Sequence, residues 1–265
     1  MGCVPCLVLL LCTLFFFPVP SQAGQYKIVS LAPNVTEILF KLGLGENVIG
    51  ADDFSDFPEE AKDIEKLGAF NNPNIERMIL LRPDYIFISA SFDSEKKRFL
   101  ESLGIKVVRV SPMSFDELKK DIGMLGDIFN RGEEAGSILE DIDKRLRSLP
   151  INADGNRPKI FIALSMDPLI TVSSFVGDLI DLAGGENIAD DMKKDSGIFS
   201  IEALIDRDPD IIIASGFIED LNLPRSISAI KNNRVYKDLP ADILLRPGPR
   251  SIDAIEILNK VFYEN

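Results

Sequence analysis

The residues best placed to act on another molecule are two glutamates that recur in one setting. Glu76 lies in "NIERMILLRPDYIFIS" (74–89) and Glu202 in "SIEALIDRDPDIIIAS" (200–215). At a constant offset of 126 residues the stretches share Ile75/Ile201, Glu76/Glu202, Pro83/Pro209, Asp84/Asp210, Ile86/Ile212 and Ser89/Ser215. In each, a polar residue, Asn74 or Ser200, can cap a short helix. A carboxylate in the first helical turn then gains about 0.3–1 kcal/mol from the helix dipole. That role alone would explain both glutamates. Placed at corresponding points of two similar halves, the same carboxylates would crown those halves, one each.

Other chemistry is narrowed by what is missing. The 265 residues contain no histidine, and the three cysteines, Cys3, Cys6 and Cys12, all lie near the N-terminus. A Ser-His-Asp triad and a Cys-His dyad are excluded, and zinc would have only carboxylates to hold it, so no metal site is expected. Neither a Walker A segment nor a G-x-G-x-x-G is present. Paired carboxylates remain, with Asp52, Asp53 and Asp56 the nearest candidates for a secreted carboxylate-dependent hydrolase. Arg246 and Arg250 flank Pro-Gly-Pro, where they can cap the last helix or meet an anionic group. A net charge of −13 repels phosphate backbones and anionic lipids, so nucleic acid is not an expected partner.

Strands alternating with helices must position these groups. Expected strands are 27–31, 47–51, 85–89 and 106–110, then 159–164, 211–215 and 234–238. Asn34 and Glu37 have the spacing of a capping box for the first helix. Ser114 to Leu149 keeps a helical period without proline. Unbroken, it makes one helix about 50 Å long, a spine between two α/β lobes. Gly123, Gly126, Gly132 and Gly136 weaken it, and a break near Asn130–Gly132 is open. The expected divisions are a signal peptide (1–23), an N-terminal lobe (24–113), the connecting helix (114–149) and a C-terminal lobe (150–265). Apolar residues 6–17 followed by Ser21-Gln22-Ala23 suit export and cleavage before Gly24, although no charge precedes them; an uncleaved anchor is the alternative. Cleavage leaves no cysteine, so the mature chain is expected to be soluble and held by its cores.

From Lys27 onward the chain resembles the periplasmic substrate-binding proteins of ABC importers for cobalamin, iron-siderophores and haem. The resemblance rests on "IVSLAPNVTEILFKLGLGENVIGADDFSDFP", "NIERMILLRPDYIF", "ITVSSFVGDLIDLAGGENIA" and "LLRPGPR". It implies two Rossmann-like lobes joined by a single long helix, a ligand in the cleft between them, and permease docking through Glu76 and Glu202. Implied ligand contacts are Pro33, Asn34, Phe54, Phe70, Ile170, Ser196 and Arg246; Ser89 and Ser215 join them as residues at the carboxyl ends of their strands, and Phe92 as a further pocket phenylalanine. The pattern is nearest the cobalamin-binding member; a ferric siderophore is the alternative and haem the third choice. The tryptophans of that member's pocket are absent, leaving phenylalanines to face a macrocycle. With no histidine, haem would depend on Tyr26, Tyr85, Tyr236, Tyr263 or a methionine as axial ligand. A monomeric extracytoplasmic receptor, with no resident cofactor and no catalysis, is the expected protein.

Overall fold

In the computed structural model the described residues are 26–150, 155–192, 195–214, 218 and 221–263. The expected signal peptide and Ser215 lie outside them.

The first lobe comprises β1 (Ile28–Leu31), α1 (Pro33–Lys41), β2 (Val48–Ala51), the hairpin β3 (Gly68–Ala69) and β4 (Asn72–Pro73), α2 (Ile75–Leu81), β5 (Tyr85–Ile88), α3 (Ser94–Ser102) and β6 (Lys106–Arg109). Its main sheet runs β2-β1-β5-β6, all parallel. Two helices follow, α4 (Phe115–Ile128) and α5 (Gly132–Ser148). The second lobe comprises β7 (Lys159–Ala163), β8 (Ser165–Met166), β9 (Leu169–Val172), α6 (Phe175–Leu182), β10 (Glu186–Asn187), β11 (Ser196–Ile198), α7 (Ile201–Arg207), β12 (Ile211–Ala214), α8 (Ser228–Lys231), β13 (Val235–Tyr236), α9 (Ala241–Leu245) and α10 (Ser251–Tyr263). Its parallel sheet has the corresponding order β10-β7-β12-β13, and an antiparallel sheet β11-β9-β8 lies beside it.

The repeated Pro-Asp has a concrete task. Asp84 and Asp210 each accept, at 2.8 Å, a backbone N–H at the start of the lobe's first strand, from Lys27 just before β1 and from Lys159, the first residue of β7. β5 and β12 are buried along their whole length because helices cover both faces of each sheet, and such strands read as continuous apolar runs.

The connection between lobes corrects the expectation of a single long helix. Asn130 adopts φ +54°, the chain reverses, and α5 packs back along α4. A Cβ on Gly126 would lie 2.6 Å from the Ala135 Cβ, and Lys119 reaches Asp143 at 2.6 Å. The break falls where the glycines cluster. What replaces the rod is a helical hairpin, and its inner face enters a core shared by both lobes. Leu118, Ile122, Leu125 and Phe129 pack with Ile38 of α1 and Leu42 just after it, Leu179 of α6 and Ile255 of α10. Tyr26, Tyr85 and Phe87 close that core around Phe129, with ring centroids 5.1–6.0 Å from it.

Candidate functional site

In a parallel sheet the chain leaves each strand at the carboxyl edge, where ligands bind at the point of strand-order reversal. In the first lobe that point lies between β1 and β5. Pro33 opens α1 directly after β1, with Ala32 extended before it (φ −149°, ψ 110°). Proline suits this first helical position because its missing N–H would be unpaired there. The capping box therefore does not form. Asn34 is inside the first turn and makes no cap, and Glu37 points elsewhere.

The loop after β2 is built on buried Asp52. Its carboxylate accepts from the Phe54 N–H and the Ser55 hydroxyl, both at 2.8 Å. Thr36 joins Ser55 to Ser30 through contacts of 2.8 and 2.9 Å, and Lys66 donates to the Ala61 carbonyl at 3.0 Å. Burial pushes the Asp52 carboxyl up, against the hydrogen bonds from Ser55 and Phe54. This frame displays Phe54, 52% exposed, with Phe70 beside it at 5.7 Å. Ser89, half-buried at the end of β5, touches Ser91 at 3.0 Å. Phe92 is a correction. It is 3% exposed and packs with Leu31, Met78, Ile88 and Leu100 in the outer core, so it offers nothing to a cleft ligand.

From the second lobe, half-buried Ile170 of β9 pairs with Ile198 of β11, and exposed Ser196 pairs with Val172. Residues missed in the sequence complete this wall: Leu164, Ile213, Ala214, Leu239, Leu244 and Leu245 line a small apolar hollow at the ends of β7 and β12. The doubled leucine of "LLRPGPR" was the available signal.

Arg246 is already occupied. It donates to Asp56 at 2.8 Å and to Glu37 at 3.2 Å. Partial burial opposes ionisation of Asp56, but the Arg246 hydrogen bond and charge outweigh it and hold the carboxyl below its ordinary range. Asp52 and Asp56 thus titrate in opposite directions, as an acid–base pair would. Asp52 is nonetheless closed off, with both oxygens bonded inside its own loop, so it cannot reach a substrate.

Glu76 and Glu202 stand exposed in the first turns of α2 and α7. The expected caps are present: Asn74 accepts from the Arg77 N–H at 2.9 Å, Ser200 from the Ala203 N–H at 3.0 Å. Each helix leads into a central parallel strand, β5 or β12, so each begins on the carboxyl-edge side of its sheet. The two carboxylates thus hold corresponding places, one on each lobe.

A larger groove, about 820 Å³, runs along the outer side of α1, lined by Phe40, Phe57, Pro58, Ile64 and Pro249 among others. None of the cleft residues lines it. The carboxyl edges of the two sheets remain the candidate site because open α/β sheets place ligands outside the carboxyl ends of their strands.

Two similar α/β lobes, each built on a parallel sheet of the same strand order, have the plan of a two-lobed solute-binding protein. Residues 28–242 match the periplasmic binding protein family, and the chain belongs to it. It is 31% identical over 261 residues to the vitamin B12-binding protein of Vibrio cholerae, covering 94% of each chain. It is 31% identical over 257 residues to the ABC transporter substrate-binding lipoprotein YvrC of Bacillus subtilis, covering 89% of this chain and 80% of that one. A crystal structure of an iron-binding (periplasmic solute-binding) protein, so described as "possible", from Staphylococcus epidermidis superposes with a TM-score of 0.77 at 28% identity. That match covers 90% of this chain and 99% of the other.

Proposed function

We propose that this protein is an extracytoplasmic receptor that holds a cobalamin-like corrinoid between its lobes and delivers it to an ABC importer. The observation that carries the ligand choice is the end-to-end similarity to a vitamin B12-binding protein, at 94% of both chains. The cleft suits such a ligand. A flat macrocycle needs apolar faces and few polar groups. Phe54 with Phe70 supplies one face, and Leu164, Leu239 and Leu245 supply the other. Pro33, Asn34, Ser89, Ile170 and Ser196 are the surrounding contacts, and Ser215 is kept from the sequence.

Glu76 and Glu202 dock on basic residues of the permease subunits, which orients the complex more than it tightens it. The corrinoid is cargo; no resident cofactor, metal or catalytic step is part of this reading, and the receptor works as a monomer. Export through residues 1–23 fits the periplasmic family name and the lipoprotein relative.

An iron chelate is the second reading, favoured by the S. epidermidis relative. An anionic siderophore would want a free cation, and Arg246 is held by Glu37 and Asp56. Haem ranks below it. Tyr26 and Tyr85 are packed around Phe129, and Tyr263 donates to the Gly184 carbonyl at 2.7 Å.

Titrating the purified protein with cyanocobalamin, a ferric siderophore and haem, followed by visible absorbance, tests the choice. Sub-micromolar binding of cobalamin, tighter than the other two, is expected. Tight siderophore binding with cobalamin weaker than micromolar overturns it.

A further inference from the structure

With the connection folded into a hairpin, a second cross-lobe tie gains importance. Glu37, on α1 of the first lobe, is 3% exposed. Arg250, at the start of α10 in the second lobe, grips it as a fork: Nε donates to Oε2 at 2.9 Å and Nη2 to Oε1 at 2.6 Å. Arg246 adds a third bond at 3.2 Å. The backbone between the two arginines is fitted to this carboxylate. A Cβ on Gly248 would lie 3.3 Å from Glu37 Oε2, and Pro247 and Pro249 restrict the chain on either side.

The same arginines continue into the loop that displays Phe54. Arg246 bonds Asp56 at 2.8 Å. The Arg250 guanidinium carbon sits 3.9 Å from the Phe57 ring centroid, and its free Nη1 bonds Asp242 at 2.8 Å. The loop is therefore pinned at both ends. Asp52 holds its start from within the first lobe, and the two arginines hold Asp56 and Phe57 from the second. Phe54 projects between the pins.

We infer that Glu37 is a positioning residue: by fixing Arg246 and Arg250 it lets the second lobe set the aim of Phe54 in the first. A buried ion network of this kind adds little net stability, because desolvation offsets the attraction, and its attested use is to fix register. Site side chains bind well when their supports are locked beforehand. Here the support is supplied across the lobe boundary, so lobe spacing and pocket shape are one variable.

The role in ligand binding rests on the proposed cleft reading; the pinning of the loop does not, and the test separates them. Hydrogen exchange on the unliganded full chain comes first. Glu37→Gln should speed exchange of the amides from Phe54 to Phe57 at least about tenfold, with β1 and β5 unchanged. Calorimetric titration with cyanocobalamin comes second. Glu37→Gln should weaken binding about tenfold, and in Phe54→Ala the same change should cost no more than about twofold, since the route through Phe54 is gone. Arg246→Gln, which cuts the link to Asp56, should reproduce both effects, and it carries the test if Glu37→Gln does not fold. Unaltered loop exchange in the folded variant overturns the inference, as does an affinity loss that is the same with and without Phe54. Loop release in a protein that binds no cobalamin would uphold the pinning and reject the cleft ligand instead.

Discussion

Asp121 of α4 shows how one side chain reports its surroundings. Burial, and then the charge of Glu117 one turn earlier, push its carboxyl up to about 6. The folded chain therefore holds a proton that the unfolded chain has released between roughly pH 4 and 6, and stability falls as pH rises through that window. Asp121→Asn should remove this slope and stabilise the protein at pH 7 by about 1 kcal/mol, less than the full linkage value because the half-exposed carboxyl is screened by water. Denaturant melts of both proteins across pH 4–7 give the comparison. At this scale the sequence was legible where partners are local. Asn74, Ser200, Glu76 and Glu202 stand as their helix-start pattern requires, since a cap and its N–H lie three residues apart. Glu37 was misread because its partners lie 209 and 213 residues away, beyond the reach of any spacing rule. Phe92 was indistinguishable from Phe54 until burial separated them.

The α4–α5 hairpin makes a sharp case among the elements. Gly123 and Gly126 sit one turn apart in one helix, and the same substitution should act on them with opposite sign. Nothing lies within 4 Å of a Cβ on Gly123, so Gly123→Ala should stabilise by about 0.5–1 kcal/mol through helix propensity alone. A Cβ on Gly126 meets Ala135 at 2.6 Å and the Arg131 carbonyl at 3.0 Å, neither of which can rotate away. Gly126→Ala should cost about 1–3 kcal/mol. Thermal melts of the pair check the close approach directly. The glycines made a break foreseeable. The reversal was not, because Leu118, Ile122 and Ile142 keep the same 3.6-residue period whether the second half runs onward or doubles back. The seven expected strands all form, since wholly buried parallel strands such as "YIFI" and "IIIA" stand out as apolar runs between turn signals. The hairpin β3-β4, the edge strand β10 and the antiparallel sheet β11-β9-β8 were not foreseen, because pieces of two to four residues carry too little pattern.

The whole molecule is a plan used twice. Strand order, the Pro-Asp tie and the capped helix with its exposed glutamate recur in both lobes. In the proposed reading cargo and docking are separate: the proposed cleft residues and the two glutamates share no hydrogen bond or ion pair among the described residues. Glu76→Ala with Glu202→Ala should abolish uptake in cells and change cobalamin affinity by less than about twofold. Two-lobed architecture was legible from alternation and repetition. The apolar wall at Leu164, Leu239 and Leu245 was not, because it is assembled from the bend after β7, the segment after β13 and the end of α9. The central claim, a corrinoid gripped between the lobes, is tested most directly by mapping hydrogen exchange with and without cyanocobalamin. Slowed exchange is expected in both 54–57 of the first lobe and 241–246 of the second, with the first turns of α2 and α7 unaffected. Slowing in one lobe alone, or only along the groove beside Phe40 and Ile64, would contradict it.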